Sequence, residues 1–355
     1  MVKKALIAMS GGVDSSLAAK LTADKGFECI GCTMKLYHNE DVGVEKSRTC
    51  CSLDDVEDAR SVAYKLGMPF YVFNFTDAFY DTVIKKFIES YEKGITPNPC
   101  IDCNRYMKFD KLFERAKILG CDYIVTGHYA RIEQKDGKFI LKKALDETKD
   151  QSYVLYSMTQ EHLKHTMFPL GDMKKTQVRN IAEQNGFINA DKPDSQDICF
   201  VPNGDYASVI EHYSNKKYPQ GDFVDMQGNV LGKHKGIIRY TIGQRKGLGL
   251  SLPESLYVFK KDVENNTVVL CKNEQLFSKE LYVEDFNWIS GEAPETPIKA
   301  SVKIRYNQVE KPATVTALDN GNVRIVFDEP QRAIAPGQSA VVYDADIVLG
   351  GGTII

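Results

Sequence analysis

Three cysteines and one glycine loop carry the chemistry that stands out in this sequence. Cys100 and Cys103 lie in GITPNPCIDCN, Gly94 to Asn104. Two prolines two residues apart predict a rigid, non-helical loop. It presents both thiols just before a helix over RYMKFDKLFERA. A thiol near a helix N-terminus has a lowered pKa and is the better nucleophile. Cys-x-x-Cys is also half of a zinc site, but no second cysteine or histidine pair follows at finger spacing. Cys199, in KPDSQDICFV, reads alone as a packed thiol and beside the other motifs as a second reactive one. Cys29 and Cys32 fall in an apparent strand, FECIGCTM, where buried, inert thiols are expected. Cys50 and Cys51 are adjacent and cannot easily ligate one metal, so they read as structural or redox bystanders.

The loop is AMSGGVDSS, Ala8 to Ser16, between an apolar run and an Ala- and Leu-rich segment. Small residues between a strand and a helix form a phosphate seat. The N–H groups of Ser10 to Val13 can converge on an anion, and the helix N-terminus adds its dipole. Asp14, Ser15 and Ser16 can cap the helix or bind phosphate and Mg²⁺. The lysine that a Walker A loop uses for a γ-phosphate is missing.

The elements around these groups alternate. KKALIAMS, FECIGCTMKLY, PFYVFNF and CDYIVTGHY read as strands. DSSLAAKLTADKG, SLDDVEDARSVAYKLG, DTVIKKFIESYEKG and KFDKLFERAKILG read as helices ending in Gly. That grammar predicts a doubly wound, mostly parallel α/β sheet, with its ligand at the carboxyl ends of the strands. Beyond about residue 200 the chain becomes turn-rich. From about 277 it consists of short alternating segments, some divided by turn pairs such as Asn320-Gly321, which predict a small β-barrel. The expected division is 1–200, 201–276 and 277–355.

Composition allows two or three domains: 355 residues, 43% hydrophobic and 26% charged, with a net charge of −3. A nucleic-acid partner must therefore rely on a local patch. Met226 to Pro253 contains no acid but has Lys233, Lys235, Arg239, Arg245 and Lys246 in a Gly-rich setting, which suits phosphate contact. The last segment, 277–355, has 7 Lys and Arg against 11 Asp and Glu. No apolar run is long enough to span a membrane. The opening MVKKALIAM reads as a first strand, not a signal peptide. Nine scattered cysteines fit a reducing cytoplasm better than a secreted disulfide scaffold.

SGGVDS resembles the pyrophosphate loop of the ATP pyrophosphatase (PP-loop) superfamily, whose members cleave ATP between the α- and β-phosphates. A loop that grips leaving pyrophosphate does not need the Walker lysine. SGGVDS, TPNPCIDCN, TGHY (126–129), KDQSY (149–153), SQDICF (195–200), GQRKGLG (243–249), VKIRY (302–306) and APGQSAV (335–341) together resemble the bacterial tRNA-specific 2-thiouridylases, in order and over essentially the whole chain. That resemblance implies replacement of the C2 oxygen of the wobble uridine of tRNA by sulfur, after adenylation of that oxygen. It implies that Ala8, Met9, Ser10, Gly11, Gly12, Val13, Asp14, Ser15, Met34 and Gly127 bind ATP with Mg²⁺. Cys103 matches the family nucleophile, and Cys199 the cysteine that carries persulfide sulfur. Asn98, Pro99 and Cys100 would lie against the target base. His128, Lys149, Asp150, Gln151, Arg305, Tyr306 and Gln338 would meet tRNA. A persulfide donor protein and a reductant for a Cys103–Cys199 disulfide are implied partners. The chain departs from many members in having Cys100 where they carry Asp. Cys100, Cys103 and Cys199 are thereby an alternative ligand set for a [4Fe–4S] cluster delivering the sulfur. Two rival readings are another adenylating ligase of the same loop class and a non-catalytic RNA-binding thiol sensor.

Overall fold

β1 (Lys4–Ala8) has Ala5, Leu6 and Ile7 fully buried. Successive side chains of a strand face opposite ways, and here both faces are covered. Leu6 enters one apolar cluster, while Ala5 and Ile7 enter another. A strand buried on both sides reads as a continuous apolar run, as KALIA does. The computed structural model describes residues 2–38, 53–193, 198–201 and 204–355. Cys50 and Cys51 lie outside the described residues, as do Ser195, Gln196 and Asp197 of the SQDICF motif.

β2 (Glu28–Lys35) and β3 (Phe70–Asn74) extend the sheet on one side of β1, and β4 (Tyr123–Val125) lies on the other. The chain then leaves this layer in a hairpin, β5 (Arg131–Lys135) and β6 (Lys138–Lys142), and returns with the short β7 (Thr166–Met167) beside β4. The order is β3-β2-β1-β4-β7, and every pairing is parallel. The direction of winding reverses at β1, so the crevice between the ends of β1 and β4 is the topological switch point. This is the expected doubly wound sheet.

α1 (Val13–Asp24) and α2 (Leu53–Lys65) cover one face. On the other, residues 76–92 form α3, which is π-helical over Tyr80–Ile84. Residues 99–118 form α4: Pro99–Asp102 is α-helical, Cys103–Lys111 π-helical and Leu112–Ile118 α-helical. α5 (Gln160–Lys164) precedes β7, and α6 (Lys175–Gln184) packs beside α1.

The expected loop through Cys103 is corrected here: the helix starts at Pro99, so both thiols are helical residues. The reason is local. Pro suits the first helical position, where a missing N–H costs nothing. Asn98 caps the end by accepting from Cys100 N at 3.2 Å.

α7 (Tyr206–Ser214) leads to a four-stranded sheet of β8 (Gly221–Val224), β9 (Val230–His234), β10 (Tyr257–Asp262) and β11 (Thr267–Cys271), ordered β10-β11-β8-β9. Six strands then close a barrel: β12 (Phe277–Trp288), β13 (Ile298–Lys303), β14 (Lys311–Ala317), β15 (Val323–Arg332), β16 (Ser339–Asp344) and β17 (Ile347–Ile354). The order is β12-β15-β14-β13-β16-β17, and β17 pairs back onto β12. Asn320-Gly321 makes the turn between β14 and β15, with Gly321 at φ 83°. The β5–β6 hairpin, absent from the expected elements, docks on β17. Among the described residues no helix is long and apolar enough to cross a membrane.

Candidate active site

The glycine loop leaves β1 at the switch point. Gly12 is the N-cap of α1 and offers no side chain, so the helix end is not capped from within. Such an end favours an anion. The hydroxyls of Ser15 and Ser16 donate back to Gly12 O at 3.0 and 3.1 Å, which fixes the loop's curvature. The expected convergence of N–H groups is narrowed at one point: Ser10 N donates to Ser15 Oγ at 3.1 Å. Gly11 sits at φ 75°, and a Cβ there would lie 2.4 Å from Asp55 O. Gly127, just past β4, presses on the start of α1, where a Cβ would be 2.7 Å from Ser15 N. The loops after β1 and β4 are therefore in contact, and Ala8, Met9, Ser10, Gly11, Gly12, Val13, Asp14, Ser15 and Gly127 all lie where these two strands meet the start of α1.

Asp14 is gripped from outside the loop. Lys175 Nζ, at the first position of α6, donates to both carboxylate oxygens at 2.7 Å, and Tyr129 OH donates to Oδ1 at 2.7 Å. Lys175 is buried, whereas the Asp14 side chain is 31% exposed. Tyr129 is fixed in turn by Gln151, whose Oε1 accepts from Tyr129 N at 3.0 Å. Asp150 folds the same turn by accepting from Ala144 N and Ser152 N.

A second brace holds Gly11. Asn189 Nδ2 donates to Gly11 O and Ser16 Oγ, both at 2.9 Å. Lys192 donates to Asp55 and Asp58 and lies 3.4 Å from Gly11 O. Asn189 and Lys192 belong to the segment that runs on to Cys199. Lys175, Tyr129, Asn189 and Lys192 were not singled out as site residues by sequence reasoning. Tyr129 and Lys192 stand inside quoted motifs; Lys175 carries no local signal.

The thiols divide into two environments. Cys103 and Cys199, with Met34, pack on the apolar cluster that includes Phe79, Phe87 and Phe200. Tyr37, just past the end of β2, donates to Cys199 O at 2.7 Å. Phe200 packs edge-to-face on Phe79 and Phe87 of α3. Cys199 is thereby tied to the carboxyl end of the strand next to β1. Cys100 is exposed on the first turn of α4. Among the described residues no three His, Cys, Asp or Glu side chains are grouped to hold a metal ion. Cys100, Cys103 and Cys199, the alternative ligand set, are not such a group: two pack on an apolar cluster and Cys100 is exposed. Cys29 and Cys32 are buried as expected, and burial pushes the Cys29 thiol up to about 11.

The residues expected at tRNA are dispersed. His128 is buried, with Nδ1 2.7 Å from Thr126 Oγ1 and Nε2 3.3 Å from Lys108 Nζ. Burial first, and Lys108 second, hold its pKa well below the usual imidazole value, so the ring is neutral. Arg305 donates to Ile242 O, in the segment between β9 and β10, and to Ala333 O, just past β15. Gln338 Nε2 donates to Thr96 O at 2.8 Å, and Tyr306 OH lies 3.5 Å from Asp150 O. Lys149 is half-buried in the turn beside Asp150. Of the basic stretch, Lys233 pairs with Asp222 and Arg239 with Glu211, while Lys233, Lys235, Arg245 and Lys246 are exposed.

A parallel α/β sheet with an uncapped glycine–serine loop at its switch point is the arrangement of a nucleotide-binding α/β domain. Family models place that class more narrowly: a tRNA methyl transferase HUP domain matches residues 3–203, a tRNA methyl transferase PRC-barrel domain residues 207–272, and an aminomethyltransferase β-barrel domain residues 278–354. The tRNA-specific 2-thiouridylase MnmA of Clostridioides difficile (strain 630) is 52% identical over 100% of this chain and 98% of its own length. That of Acetivibrio thermocellus is 51% identical over 99% of both, and that of Clostridium acetobutylicum 50% identical over 100% of both. The chain belongs to the tRNA-specific 2-thiouridylase family.

Proposed function

We propose that the protein is a tRNA-uridine 2-sulfurtransferase, replacing the C2 oxygen of the wobble uridine by sulfur at the expense of ATP. The observation that carries this reading is the tether of Cys199, through Tyr37, to the carboxyl end of β2. It supports a thiol near the carboxyl end of the sheet, next to β1, whose loop we read as the phosphate seat, with Cys103 packed on the same apolar cluster.

The uridine O2 attacks the α-phosphorus of ATP, and pyrophosphate leaves into the cradle of Ser10 to Ser15. The C2 oxygen is a poor leaving group until it belongs to AMP. Asp14, held in place by Lys175 and Tyr129, is the residue that would hold Mg²⁺, which would supply positive charge to the leaving pyrophosphate. The terminal sulfur of a Cys199 persulfide attacks C2, and AMP departs with the C–O electrons. Cys103 thiolate then attacks Cys199 Sγ and breaks the S–S bond. The thiolated base is released, and a Cys103–Cys199 disulfide remains for a reductant to clear. A persulfide donor protein reloads Cys199. Asn98 to Cys100 line the approach of the base, and the exposed cations at 235, 245 and 246 receive tRNA phosphates. We assign the α/β catalytic unit to 1–200, the central unit to 201–276 and the barrel to 277–355. Its substrates place the enzyme in the cytoplasm.

The test is nucleoside mass spectrometry of tRNA incubated with the protein, ATP, Mg²⁺, a persulfide donor and reductant. 2-Thiouridine should form only when ATP is present. ATP–pyrophosphate exchange that needs no tRNA and survives loss of both Cys103 and Cys199 would overturn the reading.

A further inference from the structure

The segment leading into the thiol helix is held by the C-terminal barrel. Both backbone groups of Thr96 are engaged by the loop between β15 and β16: Thr96 N donates to Pro336 O at 3.1 Å, and Gln338 Nε2 donates to Thr96 O at 2.8 Å. Between these two bonds Gly337, at φ 87°, packs so closely that a Cβ would lie 2.1 Å from Ile95 Cγ2 and 3.1 Å from Thr96 C and O. The barrel loop is itself anchored. Gly337 N donates to Ile354 O, and Ile354 N to Gln338 O, both at 2.8 Å.

The barrel also grips the helix beyond the thiols. Arg105, two residues past Cys103, gives two guanidinium nitrogens to the two carboxylate oxygens of Asp285. Asp285 lies in β12 at φ 47°, where the β12–β17 register shifts, so an irregular strand aims that carboxylate out of the barrel. Thr96 and Arg105 thus bracket Cys100 and Cys103, and both are held by the same β-barrel across a sequence separation of 180 residues or more.

We propose that the barrel positions the thiol helix, and that Gln338 is a positioning residue acting through Thr96. The role in thiolation rests on the proposed use of Cys103; the clamp does not. A hydrogen bond that fixes a loop start restrains local opening of the helix it leads into. Removing it leaves the Thr96 carbonyl without its side-chain donor and loosens the first turns of α4. Such a loss corresponds to about a fivefold change in an opening equilibrium.

The test uses the full chain without tRNA. Cys103 alkylation by iodoacetamide is followed by peptide mass spectrometry, with the Cys121 peptide as an internal control for global unfolding. In Gln338→Ala, Cys103 should react about fivefold faster while Cys121 is unchanged. Gly337→Ala should do the same, because the new methyl must displace Ile95. Adding Ile95→Ala should return part of that effect by removing the closest contacted atom. If Gln338→Ala leaves the Cys103 rate at the wild-type value, the inference fails. A protein that forms no 2-thiouridine at all would sink the proposed function, yet the alkylation rates would still decide the clamp.

Discussion

Lys175 Nζ stands 2.7 Å from both carboxylate oxygens of Asp14, a residue 161 positions earlier in the chain. The phosphate loop lacks a lysine of its own, and the fold brings one to it from the start of α6. Lys175→Met should therefore slow tRNA-dependent pyrophosphate release by about a hundredfold, a typical cost for losing one preorganised charged group at a reacting phosphate. Lys175→Arg should retain much of the rate because the carboxylate keeps a donor. Asp14→Asn should block release equally while tRNA binding persists. Wild-type pyrophosphate release by Lys175→Met would refute the assignment.

Gly11→Ala tests the backbone of the cradle. The left-handed φ and the approach of Asp55 O both exclude a methyl group. Strain and overpacking together should cost about 2 kcal/mol or more. The melting temperature should fall and ATP should no longer raise it. An ATP-dependent stabilisation equal to that of the wild type would contradict this.

Serine substitutions separate the three thiols. Cys199→Ser should permit adenylation of the uridine and abolish thiolation; Cys103→Ser should block turnover. Cys100→Ser should be tolerated, since that side chain is exposed and not grouped with the other two. Loss of activity in Cys100→Ser would restore the cluster alternative.

The basic segment divides into two parts. Lys233, although exposed, is paired with Asp222 and Arg239 with Glu211, whereas Lys235, Arg245 and Lys246 are exposed and enter no ion pair among the described residues. Replacing those three with Gln should weaken tRNA binding and reduce the slope of log K against log salt by about 2 to 3, through lost counterion release. An unchanged slope would mark the stretch as solvated surface alone.

Lys261 carries the clearest pH signature. Its Nζ is buried without a hydrogen-bond partner among the described residues, 5.5 Å from the Tyr91 ring centroid. Burial lowers the amine from its ordinary 10.5 to about 8. Between those values the unfolded chain holds a proton that the native state has released, so stability should rise with pH across that window. At pH 7 both states are charged and burial is a net cost. Lys261→Met should stabilise the protein at pH 7 by about 2 kcal/mol and flatten the rise above pH 8. Calorimetry at pH 7 and 9.5 checks both; a destabilised variant at pH 7 would refute the account.

What the amino-acid sequence determined by itself was local. The apolar run of β1, the small residues that follow it and Gly11 specify a strand, a tight turn and a helix start within fifteen residues. Asn320-Gly321 announces its turn for the same reason, since a left-handed backbone is a property of the residue. The helix start at Pro99 was legible from Asn98 and Pro99 as a cap and first position, although the paired prolines read as a loop. Tertiary structure alone decided which distant groups serve the site. Lys175 and Asn189 are ordinary residues of a helix and a turn until packing of α6 against α1 delivers them to Asp14 and Gly11. Gln338 stands in a motif that suggests RNA, yet closure of the barrel aims its amide at Thr96. Such contacts depend on how layers dock, and no periodicity, cap or turn signal encodes a partner more than a hundred residues away.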